Sequence, residues 1–298
     1  MAMADTSILV VGQVGRDLVL AVKEVPGGGG SSDVRERREL LGGKGANQAV
    51  AMVQLGAEVE LLGVVGDDAV GEELLRSLDR DGVGHRWVRR RGPSALLVDV
   101  VSADGDSRLL EDVPPTSVLT VEDVHAAAEA FAAADTVCLQ LQQPVGALVE
   151  AARLAAAAGA RVVLDGAVDA DRRGLLDAAS VLRADAHEAG LLAGRPTGDA
   201  DAAAALARQL VAEHRLDVVA LGVDGGDLVA WPGGHRVFPH ASGHVDATGG
   251  GDSFVAGLVV GLRAGTTPER AGELAADCAA STVARLGGRP DLGVLRPG

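Results

Sequence analysis

Short apolar runs alternate with longer helical patterns along most of the chain. The runs contain few polar residues, which is typical of strands buried on both faces of a parallel sheet. Five runs are predicted as strands, at residues 7–11, 59–65, 137–141, 161–164 and 217–221. Seven segments are predicted as helices, at residues 46–55, 70–81, 121–134, 145–158, 200–214, 253–263 and 268–285. The alternation predicts a three-layer α/β fold, in which a mostly parallel central sheet carries helices on both faces.

Two regions do not follow this alternation. Residues 17–41 contain a short alternating run, the glycines Gly27–Gly30 and an Arg/Glu-rich stretch. Residues 95–110 contain a second run, interrupted at Ala103-Asp104-Gly105-Asp106 by a hairpin-like turn. We interpret both regions as strands of a small β-sheet lid over the edge of the main sheet. The four glycines form a loop tip or linker, and residues 1–298 are expected to form one domain.

The composition narrows the class of protein. The chain has 298 residues, of which 47% are hydrophobic and only 2% aromatic, and a net charge of −15. Nucleic-acid binding is not expected, because it requires a basic face and benefits from stacking aromatics. The start of the chain lacks the basic region of a signal peptide, and no apolar stretch reaches the ~20 residues of a membrane span. A soluble, cytoplasmic protein without membrane partners is therefore expected. The distant Cys138 and Cys278 predict neither a disulfide framework nor a zinc site.

The stretch DATGGGDSFVAG contains three glycines directly before an aspartate and an apolar helix. Glycine loses more backbone entropy on folding than any other residue. Three in a row, Gly249, Gly250 and Gly251, therefore indicate that the backbone must be accessible without side chains at this point. Their amides and the helix N-terminus form a concave site for an anion. Asp252 could then accept a hydroxyl proton while the amides hold a transferring phosphoryl group. The alternative is that Asp252 is only an N-cap and the glycines only allow tight packing.

Two earlier loops offer groups for a polyol. The stretch LLGGKGANQAV is not a Walker A loop, because Gly45 follows Lys44 where Ser or Thr should bind magnesium. Lys44, one of only two lysines in the chain, and Asn47 supply a cation and an amide suited to sugar hydroxyls. Asp17, after the first strand, could accept hydrogen bonds from a polyol. The alternatives are an ordinary helix start with a surface lysine, and a turn-forming aspartate.

The stretches GGKGANQAV and DATGGGDSFVAG resemble the two signatures of the ribokinase-like (phosphofructokinase-B) carbohydrate kinases. The resemblance extends from about Ser7 to Asp291, and the form GGKGANQA is similar to the ribokinase branch of that family. It implies transfer of the γ-phosphoryl group of Mg-ATP to a primary hydroxyl of a sugar, ribose or a related pentose or hexose. It also implies a monovalent cation, K⁺, and a homodimer assembled through the lid.

The resemblance also implies roles for individual residues. Asp252 is the catalytic base and the three glycines form the anion hole, while Glu188 organises hydrated Mg²⁺. The implied sugar-binding residues are Gly15, Asp17, Gly43, Lys44, Asn47 and Gln142. The implied ATP-binding residues are Asp185, Ala220, Leu221, Gly222, Asp224 and Gly225. The implied monovalent-cation residues, several acting through carbonyls, are Asp246, Thr248, Thr282, Arg285, Gly287 and Asp291. Independently of the resemblance, residues 185–188 are also compatible with an acidic helix start, and residues 220–231 with a simple hairpin.

Three positions depart from the family pattern. Gly15 replaces an Asn and Gln142 a Glu of the sugar site, and Asp185 replaces the Asn of the Asn-x-x-Glu motif. The identity of the sugar therefore stays open. A nucleoside kinase is the first alternative, although scarce aromatics disfavour binding of a base. A non-catalytic sugar-binding regulator is the second, although the intact Gly-Gly-Gly-Asp disfavours it.

Overall fold

The computed structural model describes residues 7–103, 107–241 and 245–296. The strands are β1 (Ser7–Val11), β2 (Gly15–Val22), β3 (Val34–Gly42), β4 (Val59–Leu62), β5 (Val64–Val65), β6 (Arg89–Arg90), β7 (Ala95–Val101), β8 (Ser107–Asp112), β9 (Ala134–Gln140), β10 (Arg161–Asp165), β11 (Val181–Ala184), β12 (Val218–Val223), β13 (Gly226–Trp231) and β14 (Gly234–Pro239). The α-helices are α1 (Lys44–Gln54), α2 (Ala69–Asp81), α3 (Val121–Ala126), α4 (Ala128–Ala133), α5 (Val145–Ala157), α6 (Ala186–Ala193), α7 (Ala200–His214), α8 (Gly250–Arg263) and α9 (Pro268–Val283). Short 3₁₀ segments lie at Pro115–Ser117, Arg173–Ala178 and Gly293–Leu295.

The main sheet carries the core of the molecule. In the described residues its strand order is β14-β13-β12-β11-β10-β9-β1-β4. Six neighbouring strands of this sheet, β12, β11, β10, β9, β1 and β4, are parallel to one another. Strands β13 and β14 are antiparallel and extend the sheet at one edge. Apolar clusters fill both faces of the sheet beneath the helices. Because parallel strands end at the same edge, their C-terminal loops meet there, where ligands of open α/β sheets bind.

A small sheet with the order β3-β2-β7-β8 stands apart from the main sheet. Its side chains alternate between two faces, as the period of a strand requires. Asp17, Val19 and Asp99 are buried on one face, while Leu18 and Val98 point to the other and are half-exposed. The small sheet therefore presents two aspartates toward the body of the protein.

Helix α8 is buried along almost its whole length. Two of its glycines allow α9 to approach closely: a Cβ at Gly257 would lie 2.7 Å from the Cα of Ala275, and one at Gly261 would lie 2.9 Å from the Cα of Ala271. This packing fixes the axis of α8, and with it the position of its N-terminus.

The predicted three-layer fold with a small separate sheet is confirmed. The predicted strand at 59–65 is two strands, because Gly63 separates β4 from β5, which pairs with β6 instead. The predicted helix at 121–134 is likewise two short helices, and residue 134 already begins β9. The turn predicted at 104–106 lies outside the described residues. Within the described part of the chain, none of the helices combines the length and apolar character needed to span a membrane.

Candidate active site

The loop before α8 leaves backbone amides available. Gly249 is the N-cap of α8 with φ 71°, a left-handed conformation that glycine adopts without strain. The N–H of Gly250 donates to the carbonyl of Ala247 over 3.4 Å, a long hydrogen bond. Among the described residues, no backbone carbonyl or side chain outside the helix accepts from the N–H of Gly251 or Asp252. Together with the partial positive charge of the helix N-terminus, these amides form a site suited to an anion.

The carboxylate of Asp252 lies between two side-chain amides of α1. Its Oδ2 accepts from Asn47 Nδ2 at 3.1 Å, and its Oδ1 accepts from Gln48 Nε2 at 3.2 Å. Burial, followed by the charge of Asp165, raises the pKa of Asp252 to about 6, although Lys44 and the two amides oppose the rise. A carboxylate whose pKa lies near neutrality can be ionised at physiological pH and still accept a proton readily.

Lys44 brings a positive charge to the same group of residues. Its Nζ lies 3.5 Å from Oε1 of Glu188. Burial lowers the pKa of Lys44, but Asp165, Glu188 and Asp252 outweigh it and raise the pKa, so the amine stays charged. Glu188 is held in turn by a capping box at the start of α6: its Oε2 accepts from the N–H of Asp185, and Oδ1 of Asp185 accepts from the N–H of Glu188.

The glycines around Lys44 are required by close approach between loops. Gly43 has φ 85°, and a Cβ there would lie 2.7 Å from the carbonyl oxygen of Gln13. A Cβ at Gly45 would lie 2.6 Å from the carbonyl carbon of Gly12. The start of α1 is therefore pressed against the loop that follows β1, which brings Lys44 and Asn47 to the carboxyl end of the sheet.

Asp17 reaches this group of residues from the small sheet. Its carboxyl group is packed against Gly42, where a Cβ would overlap with it. Burial, followed by the charges of Asp252 and Asp99, raises the pKa of Asp17 to about 7. Asp17, Lys44, Asn47 and Asp252, which the sequence predicts as site residues, are thus brought together by the fold.

Two further predicted sugar residues, Gly15 and Gln142, are placed differently, while Gly43 lies beside Lys44 at the start of α1. Gly15 begins β2 and is packed against β7, where a Cβ would lie 3.1 Å from the carbonyl oxygen of Ala95. Gln142 follows β9 with an exposed side chain, and no hydrogen bond described in the structure joins it to Asp252 or its neighbours. Both predictions therefore still depend on the resemblance.

A cavity of about 430 Å³ opens beside the N-terminus of α8. Its lining includes Arg183, Asp185, Gly222, His240, Gly250 and Gly251. Of the predicted ATP-binding residues, Asp185 and Gly222 line this cavity. Ala220 and Leu221 have their side chains in the core. Asp224 lines a neighbouring groove, and Gly225, with φ 72°, forms the hairpin turn after β12.

Two loops meet at the predicted monovalent-cation positions. Asp246 is fully buried, and its carboxylate accepts from the N–H of Thr248 at 2.9 Å and of Gly287 at 2.8 Å. A Cβ at Gly288 would lie 2.7 Å from the carbonyl oxygen of Thr248, so the loops are in close contact. The remaining side chains turn elsewhere. That of Thr282 bonds to Ser253 between α8 and α9, and those of Arg285 and Asp291 pair with each other.

Four residues near the site were not predicted from the sequence. Gln48 Nε2 joins Asp252 to Asp165, at 3.2 and 2.8 Å. Arg183 lies 3.4 Å from Asp165, and Asp99 accepts from the hydroxyl of Thr248 at 2.5 Å. Asp165 carries a usable signal, because it directly follows the strand predicted at 161–164, where ligand-binding loops begin. The others are an amide in a recognised motif and charges inside strands, for which the sequence alone gives no signal.

Comparison with known proteins identifies the class. The family model of the pfkB family carbohydrate kinases matches residues 5–292, so the chain belongs to this family. The predictions of the family and of a sugar kinase that transfers a phosphoryl group are confirmed.

Relatives and solved structures of this family match nearly the whole chain. Ribokinase of Schizosaccharomyces pombe is 28% identical, covering 94% of this chain and 93% of its own. An ATP-dependent ribose-1-phosphate kinase of Halopiger xanaduensis is 32% identical, covering 95% and 93%. The structure of Arabidopsis thaliana ribokinase complexed with ribose and ATP superimposes with a TM-score of 0.79 at 25% identity, covering 98% of both chains.

Proposed function

We propose that this sugar kinase transfers the γ-phosphoryl group of Mg-ATP to a primary hydroxyl of a free sugar, ribose or a related pentose or hexose. The observation that carries the proposal is the position of Asp252. Its carboxylate has a raised pKa and lies beside Asn47, Lys44 and Asp17. It directly follows Gly251, whose N–H has no acceptor among the described residues. A base, an anion site and polar groups for a polyol therefore converge at the carboxyl edge of the sheet. The whole chain forms one kinase domain in this proposal, with the small sheet as its lid.

In the proposed reaction Asp252 takes the proton of the sugar hydroxyl while that oxygen forms a bond to the γ-phosphorus. The bond from the γ-phosphorus to the bridging oxygen breaks, and ADP leaves with the electron pair. The amides of Gly249 to Gly251 and the N-terminus of α8 stabilise the charge on the transferring group. Lys44, Asn47 and Asp17 hold the sugar, and the small sheet excludes water that would compete as acceptor.

The residues present suit a magnesium ion held through water. Glu188 is mostly buried, and its Oε1 faces Lys44 over 3.5 Å rather than forming a close ion pair. Mg²⁺ keeps several waters and is usually bound by one or two carboxylates plus substrate phosphates. The carboxylate of Glu188, which is only loosely paired with Lys44, is suited to such a site. When bound, the ion neutralises charge on the nucleotide phosphates. In this proposal Glu188 positions the hydrated ion.

The loops around Asp246 suit a potassium ion. Backbone carbonyls are the ligands that potassium prefers in proteins. The carbonyl oxygen of Thr248 lies where the two loops touch, beside the buried Asp246. Such an ion would hold the loop that leads into Gly249 and so support the anion site.

The charges around Asp252 favour an uncharged acceptor. Asp17 and Asp165 both act on Asp252 electrostatically, and Lys44 is the cation that opposes them. A phosphorylated sugar brings at least one further negative charge, which these carboxylates disfavour. The relative named as a ribose-1-phosphate kinase makes this contrast worth testing directly.

The deciding experiment measures ADP release over a panel of free pentoses, free hexoses, ribose 1-phosphate and nucleosides. We expect the highest kcat/KM with a free sugar. Asp252→Asn should then lower kcat by at least ~10²-fold while sugar and ATP binding persist, because the base is lost while Lys44, Asn47 and the backbone amides stay in place. Asp79→Asn, an exposed aspartate on α2, is the matched control and should behave as the parent protein. Near-normal turnover of Asp252→Asn would refute the role of the base, and turnover with no panel member would refute the kinase proposal.

A further inference from the structure

Arg183 places a guanidinium directly against the segment of residues 247–251 that leads into α8, called the anion loop below. It lies in β11 and is only 9% exposed. A Cβ at Gly251 would lie 2.7 Å from its Nη2 and 3.1 Å from its Cζ. Both residues line the cavity beside α8. The guanidinium and the free amide of Gly251 are therefore neighbours on the wall of one cavity.

Most of the donors on this guanidinium have no partner among the residues that the structure describes. A guanidinium has five N–H donors, and buried donors are normally satisfied. In the described residues Arg183 makes one hydrogen bond, from Nη1 to Oδ1 of Asp165, and it is long at 3.4 Å. Its Nε is buried without an acceptor there. An arginine so placed has capacity for an acceptor that the described part of the chain does not supply.

Arg91 shows how this fold satisfies an arginine that has a structural role. Its guanidinium donates to both oxygens of Asp123, at 3.0 and 2.7 Å, and to the carbonyls of Thr116 and Val118. Such a bidentate pair is the geometry expected of a strong structural ion pair. Arg183 lacks it, although it is the more deeply buried of the two.

The surroundings keep Arg183 charged and explain why a cation is needed there. Burial alone would lower its pKa, but Asp165, Asp227 and Glu188 outweigh it and raise the pKa. Asp185 and Asp227 line the same cavity. Without a cation these carboxylates would repel phosphates, and the Asp at 185 adds one more negative charge than the family's usual Asn.

We propose that Arg183 binds the terminal phosphates of the nucleotide, beside the amide of Gly251. This inference rests on the proposed function, since it takes the anion loop as the place of phosphoryl transfer. The guanidinium keeps its proton throughout. Arg183 contributes a charge-assisted hydrogen bond to a non-bridging oxygen of the β- or γ-phosphate.

Equilibrium binding of a non-hydrolysable ATP analogue, ADP and adenosine to the full chain tests the inference. Arg183→Met should weaken the analogue roughly 10- to 100-fold, the range expected for hydrogen bonds to charged groups, and leave adenosine unchanged within about twofold. The affinity of Arg183→Lys for the analogue should lie between those of the parent protein and Arg183→Met, because lysine keeps the charge but lacks the planar guanidinium with its several donors. Arg172→Met is the matched control, since that guanidinium bonds to the carbonyl of Leu141 away from the cavity, and it should leave all three affinities unchanged.

A double variant separates a phosphate contact from simple neutralisation of Asp165. If Arg183 served only to neutralise that carboxylate, Asp165→Asn would restore the affinity for the analogue when combined with Arg183→Met. We expect no restoration. Restored affinity, an equal loss for adenosine, or an unchanged affinity for the analogue would each overturn the inference. These measurements need no turnover, so a chain that fails to phosphorylate any sugar would refute the proposed function while the role of Arg183 is still decided.

Discussion

The groups that surround the carboxylate of Asp252 fix its orientation and raise its pKa above that of an exposed aspartate. Both of its oxygens accept from amides of one helix, Asn47 and Gln48, which fix its orientation without supplying a charge. Asp165, linked through the same Gln48 amide, disfavours its ionised form, and Lys44 favours it. These opposing effects leave the pKa of Asp252 at about 6. A change in one neighbouring charge therefore alters the fraction of Asp252 that is ionised in the pH range in which enzymes are assayed.

This balance predicts the pH dependence of the reaction. Asp252 acts as a base only when it is deprotonated, so kcat should rise as pH increases through about 6 and level off above it. Asp165→Asn removes a negative charge that raises this pKa and should therefore shift the midpoint to lower pH. A pH–rate profile of both proteins measures the shift. A midpoint that stays in place or moves upward in the variant would exclude Asp252 as the titrating base.

At the scale of elements, the small sheet is fastened to the loops before and after the two C-terminal helices. Asp99 of β7 accepts from the hydroxyl of Thr248, in the anion loop. Arg38 of β3 donates to the carbonyl of Leu286 at 3.4 Å, and a Cβ at Gly287 would lie 2.7 Å from Leu40. The position of the sheet that carries Asp17 is thereby coupled to the loop that carries Gly249 to Gly251.

Removing the hydroxyl of Thr248 tests this coupling. Thr248→Val keeps the backbone carbonyl but leaves the buried carboxylate of Asp99 without its partner, at a cost of about 1–3 kcal/mol. We expect the sugar KM to rise several-fold, because Asp17 is less well held, with a smaller change in the ATP KM. Thr248→Ser retains the hydroxyl and is the matched control in steady-state kinetics. An increase confined to the ATP KM would show that the contact serves the nucleotide instead.

The same loops predict a response to monovalent cations. If potassium binds beside Asp246, it orders the loop that leads into the anion site, and the rate should be higher in potassium than in sodium-only buffer. Initial rates in matched chloride buffers at constant ionic strength, with tetramethylammonium as the inert reference, provide the measurement. Equal rates in all three salts would remove the cation from the mechanism.

The sequence predicted those parts of the fold and the site that depend on local pattern. Apolar runs and glycine loops are local, so β1, β4, β9, β10 and β12, the small sheet, Asp252, Lys44 and Asn47 are predicted from the sequence, whereas β11, β13 and β14 of the main sheet are not. The contacts of Gln48 join residues 117 and 204 positions away along the chain, and no local pattern carries that information. For the same reason Arg183 was missed, because a charge in a buried strand acquires its meaning only from the loop that the fold places against it.

At the scale of the whole molecule, the outer face of the small sheet carries an exposed stripe of apolar side chains. The pairing register aligns Leu18, Val98 and Leu110 across β2, β7 and β8, and Leu110 is 62% exposed. Leu20 and Val100 form the next row on the same face. The same rows also carry Glu39, Arg37 and Arg108, so the apolar side chains form a stripe flanked by charges of both signs. A chain with a net charge of −15 repels its copies, and a stripe with little net charge is where two copies can approach. We propose that two copies associate through this face, around a twofold axis.

Replacing one leucine on that face tests the association. Leu110→Asp introduces a charge that a twofold interface would place near its own copy, so the dimer should dissociate into monomers in sedimentation experiments at micromolar concentration. Leu191→Asp is the matched control, because Leu191 is 57% exposed on α6 and is not part of the small sheet, and it should leave the mass unchanged. A monomeric parent protein, or a Leu110→Asp variant that stays dimeric, would contradict the proposal. Because β2 also carries Asp17, on its opposite face, we expect the monomeric variant to have a raised sugar KM: the strand that holds the sugar would lose its outer support.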